Sequence, residues 1–194
     1  MPGDSHFPPR PTRLAHDWVA SIARPGDLLI DATAGNGHDT LHLAQLAGPN
    51  GKVLAFDIQP AAIQSARTRI ENAGLLDRVH LIQQSHANLA DHAAPATASV
   101  IMFNLGYLPG QEHQLITTPG ETLTALNAAT SILKPGGLLT IICYPGHPGG
   151  DHETQAVLDW ATTLAAQNWR IARYSAIATQ RPTPILLAVH KSKP

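Results

Sequence analysis

The sequence predicts an α/β fold: a mostly parallel, seven-stranded sheet with helices on both faces and an antiparallel hairpin at its C-terminal end. Three observations carry this expectation. Short aliphatic runs alternate with helical stretches from Leu28 onward, a glycine-bearing turn follows the first run, and the last two runs have no helix between them. At 194 residues and 43% hydrophobic, the chain can bury the core of one domain without disulfides or structural metal.

The elements follow in order. Met1–Arg13 holds four prolines and no apolar period, so residues 1–13 read as an extended arm ahead of one domain spanning residues 14–194. Leu14, Trp18, Val19 and Ile22 form one face of a short helix, closed by Pro25-Gly26. Leu28–Ala32, Val53–Asp57, Val79–Gln83, Ser99–Asn104 and Leu138–Tyr144 are aliphatic runs suited to strands buried on both faces. Helices are expected between them at Asp39–Leu46, Pro60–Ala73, Ala87–His92, Thr118–Leu133 and Asp151–Gln167. Pro60 fits a first helical turn, and Lys134-Pro-Gly-Gly137 reads as a helix stop and a turn into the next strand. Trp169–Ala176 and Pro184–His190 supply the terminal hairpin.

Bulk properties narrow the function classes. A formal net charge of −1 gives no global pull toward phosphate backbones, so any RNA contact must be local. Arginines gather at Arg10/Arg13/Arg24, Arg67/Arg69/Arg78 and Arg170/Arg173/Arg181, which solvated faces also explain. Cys143 is the only cysteine, no apolar stretch is long enough to span a bilayer, and the N-terminus lacks the order of a secretory signal. A cytoplasmic protein without a membrane partner is expected.

Leu29-Ile-Asp31-Ala-Thr-Ala-Gly35-Asn-Gly37-His-Asp39-Thr40 places an acid at the end of the first strand and two glycines in the turn that opens a helix. Glycines let the backbone approach a ligand, and the helix start offers free N–H groups. A dinucleotide loop would carry a third glycine at Thr40 and no acid ahead of the glycines, because a pyrophosphate would be repelled. S-adenosylmethionine (SAM) has no phosphate and carries a sulfonium and an ammonium, which Asp31 would attract. The second strand ends in Asp57, about twenty residues after the glycines, where a carboxylate accepts both ribose hydroxyls. Asp57 could equally cap the next helix. Ser85 and His86, at the end of the third strand, stand where an adenine would lie.

The fourth strand ends in Met102-Phe-Asn104-Leu-Gly106-Tyr107-Leu-Pro109-Gly110. An Asn followed by an aromatic at a strand tip is the arrangement that amino-group methyltransferases use. The Asn104 side-chain carbonyl and the Leu105 backbone carbonyl accept hydrogen bonds from an amine, aiming its lone pair, while Tyr107 stacks on a flat base. A protonated amine must first lose a proton, for which His113, His147 and solvent are candidates.

Taken together, Asp31–Thr40, Phe56–Gln59, Phe103–Gly110, Thr117-Thr118 and Gly146–Gly150 resemble the small bacterial proteins first labelled rRNA methylases and now understood as tRNA 5-(aminomethyl)-2-thiouridine methyltransferases. The likeness runs from about Leu14 to Lys191, nearly the whole chain. It implies the Rossmann-like fold of class I methyltransferases and SAM-dependent N-methylation of 5-aminomethyl-2-thiouridine at the tRNA wobble position. The partner it implies is the tRNA anticodon stem-loop; the oligomeric state is left open, a homodimer included. The resemblance adds Asn36 and Asp39 to Asp57 and Gln59 around the cofactor, beside Asp31, Gly35, Gly37 and Thr40 of the glycine loop and Ser85 and His86 at the third strand's end, which are expected there from their positions. Asn104, Leu105, Gly106 and Tyr107 border the acceptor, and Pro109, His113, Tyr144 and His147, with Gly149, Gly150 and Glu153, lie on the substrate side. One departure bears on loop shape: Pro109-Gly110-Gln111-Glu112 stands where the family usually has Pro-Gly-Gly-Asp.

Rival readings need features this chain lacks. His38 and His42 sit one helical turn apart like a zinc-protease helix, but Asp39 replaces the catalytic Glu and no third ligand is evident, so no metal is expected. An NAD-linked oxidoreductase would need the three-glycine loop, and a non-catalytic binding module would not need Asn104 and Tyr107. A methyltransferase acting on rRNA or a small amine is the nearer alternative.

Overall fold

The computed structural model describes residues 8–106, 119–167, 169–177 and 182–193. Seven strands form one sheet: β1 (Leu28–Asp31), β2 (Lys52–Phe56), β3 (Val79–Ile82), β4 (Ala98–Leu105), β5 (Leu133–Cys143), β6 (Trp169–Tyr174) and β7 (Ile185–Lys191). Their order is β3-β2-β1-β4-β5-β7-β6. The first five run parallel, and β7 pairs antiparallel with both β5 and β6. The expected mostly parallel sheet with its terminal antiparallel hairpin is therefore the fold observed.

The strands read as unbroken apolar runs because alternate residues feed two cores. Leu29, Val53, Ala55, Val100 and Met102 face the helices α1 (Pro11–Ile22), α2 (His38–Ala47) and α3 (Pro60–Asn72), meeting Val19, Leu43 and Ile70. Ile30, Leu54, Phe56, Ile101 and Phe103 face α4 (Pro119–Ile132) and α5 (Gly150–Ala165), meeting Leu126, Val157 and Trp160. Each fully buried aliphatic or aromatic side chain contributes about 1.5–3 kcal/mol relative to exposure. A sheet covered on both faces leaves only its ends and edges for function.

Three local features differ from the sequence expectation. Helix α1 starts at Pro11, so the arm is shorter than Met1–Arg13: proline at the first position forfeits only an N–H that a helix start leaves unpaired anyway. The end of the arm is docked, Tyr174 Oη donating to the Pro9 carbonyl at 2.8 Å. Ala87–His92, expected as a helix, overlaps a 3-10 helix over His86–Asp91, whose 6 residues are too few to repay α-helix nucleation; Ser85 Oγ caps it by accepting from the Ala87 N–H at 3.2 Å. Lys134–Gly137 is no separate turn: β5 begins at Leu133, and the register steps from Ala98↔Leu133 to Val100↔Leu138, so these residues bulge out of the ladder.

The strand order places the functional end. From β1 the chain moves outward to β2 and β3, then returns with β4 on the other side of β1. The loops leaving β1 and β4 diverge there, and a crevice opens at the carboxyl ends of the strands.

Candidate active site

A cleft of about 510 Å³ occupies that crevice, walled by the segments that leave β1, β2, β3, β4 and β5. Its size is that of a small-molecule or cofactor site. The glycine turn contributes Ala32, Thr33, Ala34, Gly35 and Asn36, the start of α2 contributes His38 and Asp39, and the segment after β2 contributes Asp57, Ile58 and Gln59. Gln84, Ser85 and His86 enter from β3, and Asn104, Leu105 and Gly106 from β4. Tyr144, Pro145, Gly146 and His147 enter from β5, and Thr12 from the start of α1. Among these lining residues are two carboxylates and no lysine or arginine, so the cleft favours cations and disfavours phosphates.

Asp57 ties two loops together. Its Oδ2 accepts from the Gly35 N–H and its Oδ1 from the Gln59 N–H, both at 2.9 Å. Asn36 is held from α3: Arg69 Nε donates to its carbonyl at 2.7 Å and Ser65 Oγ to its Oδ1 at 3.3 Å. The Ala34 N–H reaches across to the Phe56 carbonyl at 2.7 Å. The turn is thus fixed to both neighbouring segments before any ligand arrives.

Three expected cofactor residues do not line the cleft, and each has a packing role instead. Asp31 is fully buried, its Oδ2 accepting from Thr40 Oγ1 at 2.6 Å and its Oδ1 from the Thr33 N–H at 3.1 Å. It braces the turn against α2 rather than meeting a cation directly. Burial, reinforced by the Asp39 charge, pushes its carboxyl up to about 7. Thr40 is its equally buried partner. Gly37, at φ 76°, packs against α3: a Cβ there would lie 2.7 Å from Ala66 Cα. Tyr107, Pro109 and His113, with Thr117-Thr118 and Gln111-Glu112, lie outside the described residues.

The tip of β4 carries the sharpest geometry. The Asn104 N–H donates to Thr33 Oγ1 at 2.8 Å, and Asn104 Nδ2 donates to Asp39 Oδ2 at 2.6 Å. A carboxylate only accepts, so this contact decides which way the amide points. Asn104 Oδ1 is left buried, with no hydrogen-bond partner among the described residues. Asp39 Oδ1 takes a second contact, from His16 Nε2 at 2.6 Å. Burial would raise the Asp39 carboxyl, but the hydrogen bonds from His16 and Asn104 and the nearby His16 and His42 hold it below the usual carboxylate range. Around the site His86 is buried against the Phe103 ring and driven toward its neutral form by burial. The Tyr144 hydroxyl is kept neutral, its pKa raised by burial and by the Asp39 charge.

Sequence reading missed several residues here. Thr33 sits inside the quoted turn but carries no charge to mark it. His16 is 23 residues from Asp39 and on a helix packed across the sheet, so no spacing signals their contact. His38 and His42 do not converge on a metal: His38 lines the cleft, while His42 stacks on His16 with ring centroids 4.1 Å apart. Among the described residues no group of three or more His, Cys, Asp or Glu could hold a metal ion.

Comparison with known proteins identifies the site's lineage. The sequence family described as "Putative rRNA methylase" matches residues 53–190, well over half the chain. The chain belongs to that family. The tRNA (mnm(5)s(2)U34)-methyltransferase, chloroplastic, of Arabidopsis thaliana is 38% identical over 191 residues, covering 93% of this chain and 69% of the relative. The crystal structure of a protein from Clostridium thermocellum described as a "putative rRNA-methylase" superposes with a TM-score of 0.90 at 35% identity, covering 94% of this chain and 98% of the other. A protein from Streptococcus mutans described as "a putative methyltransferase", solved in complex with SAH, gives 0.85 at 34% identity over the same shares of each chain. The fold is that of the class I methyltransferases, and this family member is a methyltransferase.

Proposed function

We propose that the chain methylates the primary amine of 5-aminomethyl-2-thiouridine at the tRNA wobble position, giving 5-methylaminomethyl-2-thiouridine, with SAM as methyl donor. The observation that carries this reading is Asn104 Oδ1: an oriented, buried acceptor without a partner, at a strand tip bordering an acidic cleft. An unsatisfied buried acceptor is costly in a folded protein and marks a place for a donor such as an amine N–H. The name of the Arabidopsis relative supports the nucleoside, and the anticodon stem-loop is the part of tRNA that presents it. The cytoplasm is the proposed location. Among the described residues no helix is long and apolar enough to cross a membrane.

The cleft fits the donor on its own chemistry. Its carboxylates suit a sulfonium and an ammonium, and the Asp57 oxygens each keep a lone pair for a ribose hydroxyl beyond their backbone contacts. Gly35, Asn36 and Gln59 border the same region, and Ser85 and His86, which line the cleft beyond β3, would flank the adenine. When bound, SAM supplies a methyl carbon on a cationic sulfur that departs with the electrons of the broken bond. On the acceptor side Asn104 Oδ1 and the Leu105 carbonyl accept the two N–H bonds of the neutral amine, with Gly106 bordering them. Its lone pair is thereby aimed at the cleft. The nitrogen gains one carbon bond and gives up a proton to solvent, and the Asp39 carboxylate favours the positive charge that develops there. Holding the amine in line accounts for a large share of the rate, because orientation supplies on the order of 7–11 kcal/mol in such reactions. Tyr144 and His147 wall the substrate side.

The deciding experiment incubates purified protein and SAM with tRNA bearing 5-aminomethyl-2-thiouridine, followed by nucleoside mass spectrometry. Conversion of that nucleoside to its methylamino form is expected. Unchanged tRNA alongside a newly methylated rRNA nucleoside would move the reading to rRNA.

A further inference from the structure

We infer that His16 is a positioning residue for the acceptor amine, acting through Asp39 on Asn104, an inference that rests on the acceptor role just proposed for Asn104. His16 stands on α1, apart from the strand-end segments that build most of the cleft. Helix α1 buries Ala15 and Val19 against the sheet, which presents the neighbouring His16 to the start of α2. There His16 Nε2 lies 2.6 Å from Asp39 Oδ1. Because the carboxylate only accepts, Nε2 must be the protonated nitrogen.

The geometry forms a chain of fixed contacts. Asp39 spans two donors, one on each oxygen: His16 Nε2 and Asn104 Nδ2, each at 2.6 Å. Two-point attachment stops rotation of the carboxylate, as a single donor would not. The His16 ring is itself held, stacked on His42 at 4.1 Å with an interplanar angle of 9°. His42 Nε2 also lies 3.3 Å from the His16 carbonyl. The far end of this chain is Asn104 Oδ1, the atom that receives the amine. With His16 gone, Asp39 keeps one donor and can turn. The amide it steers then samples orientations in which its NH2 faces the incoming N–H. Catalysis depends on sub-ångström placement of the nucleophile, so such loosening lowers turnover while leaving the Asp57 side of the cleft intact.

The test compares two substitutions that differ only in reach. The amide nitrogen of Gln sits about where His Nε2 does, whereas that of Asn mimics Nδ1 and falls short of Asp39. His16→Asn should lower kcat at least about tenfold, the scale of losing one charge-assisted hydrogen bond, with SAM affinity within about twofold of wild type. His16→Gln should recover kcat to within about threefold of wild type. Wild-type turnover in His16→Asn, equal loss in both variants, or SAM affinity falling in step with kcat would each overturn the inference. Asn104→Ala separates the two levels. If Asn104→Ala abolishes turnover while His16→Asn does not, the role of His16 fails and the acceptor site stands; if Asn104→Ala turns over normally, the acceptor site itself fails. Adding His16→Asn to Asn104→Ala should cost nothing more, because the pathway it acts on is already gone.

Discussion

Asp57→Asn isolates what the acid at the end of β2 does. In the wild type each carboxylate oxygen already accepts one backbone N–H, from Gly35 and from Gln59, both at 2.9 Å. The second lone pair of each oxygen is what the ribose hydroxyls take in the proposed complex. Asn offers one oxygen and one NH2. One backbone N–H therefore meets a donor, whether or not cofactor is bound, and that loss appears in stability. The ribose side loses one charge-assisted acceptor, and this loss appears only in affinity. Hydrogen bonds to charged groups contribute about 1.5–3 kcal/mol. At 1.4 kcal/mol per decade, SAM should bind roughly tenfold to a hundredfold more weakly. Isothermal titration calorimetry with SAM and SAH reads the change, and circular dichroism shows that the variant is folded. Turnover at saturating SAM should change little, because Asn104 is untouched. A dissociation constant within about twofold of wild type in a folded variant would refute the ribose assignment.

Two further outcomes test the scaffold around the cleft. Gly37→Ala should lower the unfolding free energy by about 2–4 kcal/mol in urea titrations, combining the cost of a left-handed alanine with overpacking against α3. Ala66→Gly should not restore it, since the nearest atom is Ala66 Cα, and a wild-type urea midpoint would show that the loop has room to spare. Asp31 makes stability depend on pH. Its carboxyl titrates at about 7 in the folded protein against an ordinary 3.8, because of burial and the Asp39 charge. Between those values the folded state holds a proton that the unfolded state has released, so stability falls as pH rises through the window, by up to about 1.4 kcal/mol per unit, and levels off above it. Asp31→Asn should remove this component, so its stability rises relative to wild type from about pH 4 to about pH 7 and stays level above that; parallel curves would contradict the buried, proton-retaining state.

Much of the cleft could be read residue by residue. Asp57 and Asn104 stand at the ends of β2 and β4 with their flanking turns, and a strand-end position needs only local apolar runs to recognise. The glycine turn was legible for the same reason, yet the part each residue plays in it was not. Asp31 and Asp39 are both acids beside glycines, and nothing local tells that one turns into the protein toward Thr40 while the other lines the cleft. The six residues from His86 to Asp91 share the composition of an α-helix, and their short run, too brief to repay α-helix nucleation, leaves them in a tighter turn.

By itself, the amino-acid order determined the alternation of strands and helices, the apolar runs that supply the two cores, and the positions of the acid and amide groups at strand ends. These follow from short-range steric and hydrophobic preferences that act within a few residues. Strand order, the packing of Gly37 on Ala66, and the His16–Asp39–Asn104 chain were decided by tertiary structure alone. They join residues 23 to 71 positions apart, as His16 to Asp39 and Thr33 to Asn104 show, and contacts at that range exist only once helices and sheet have docked.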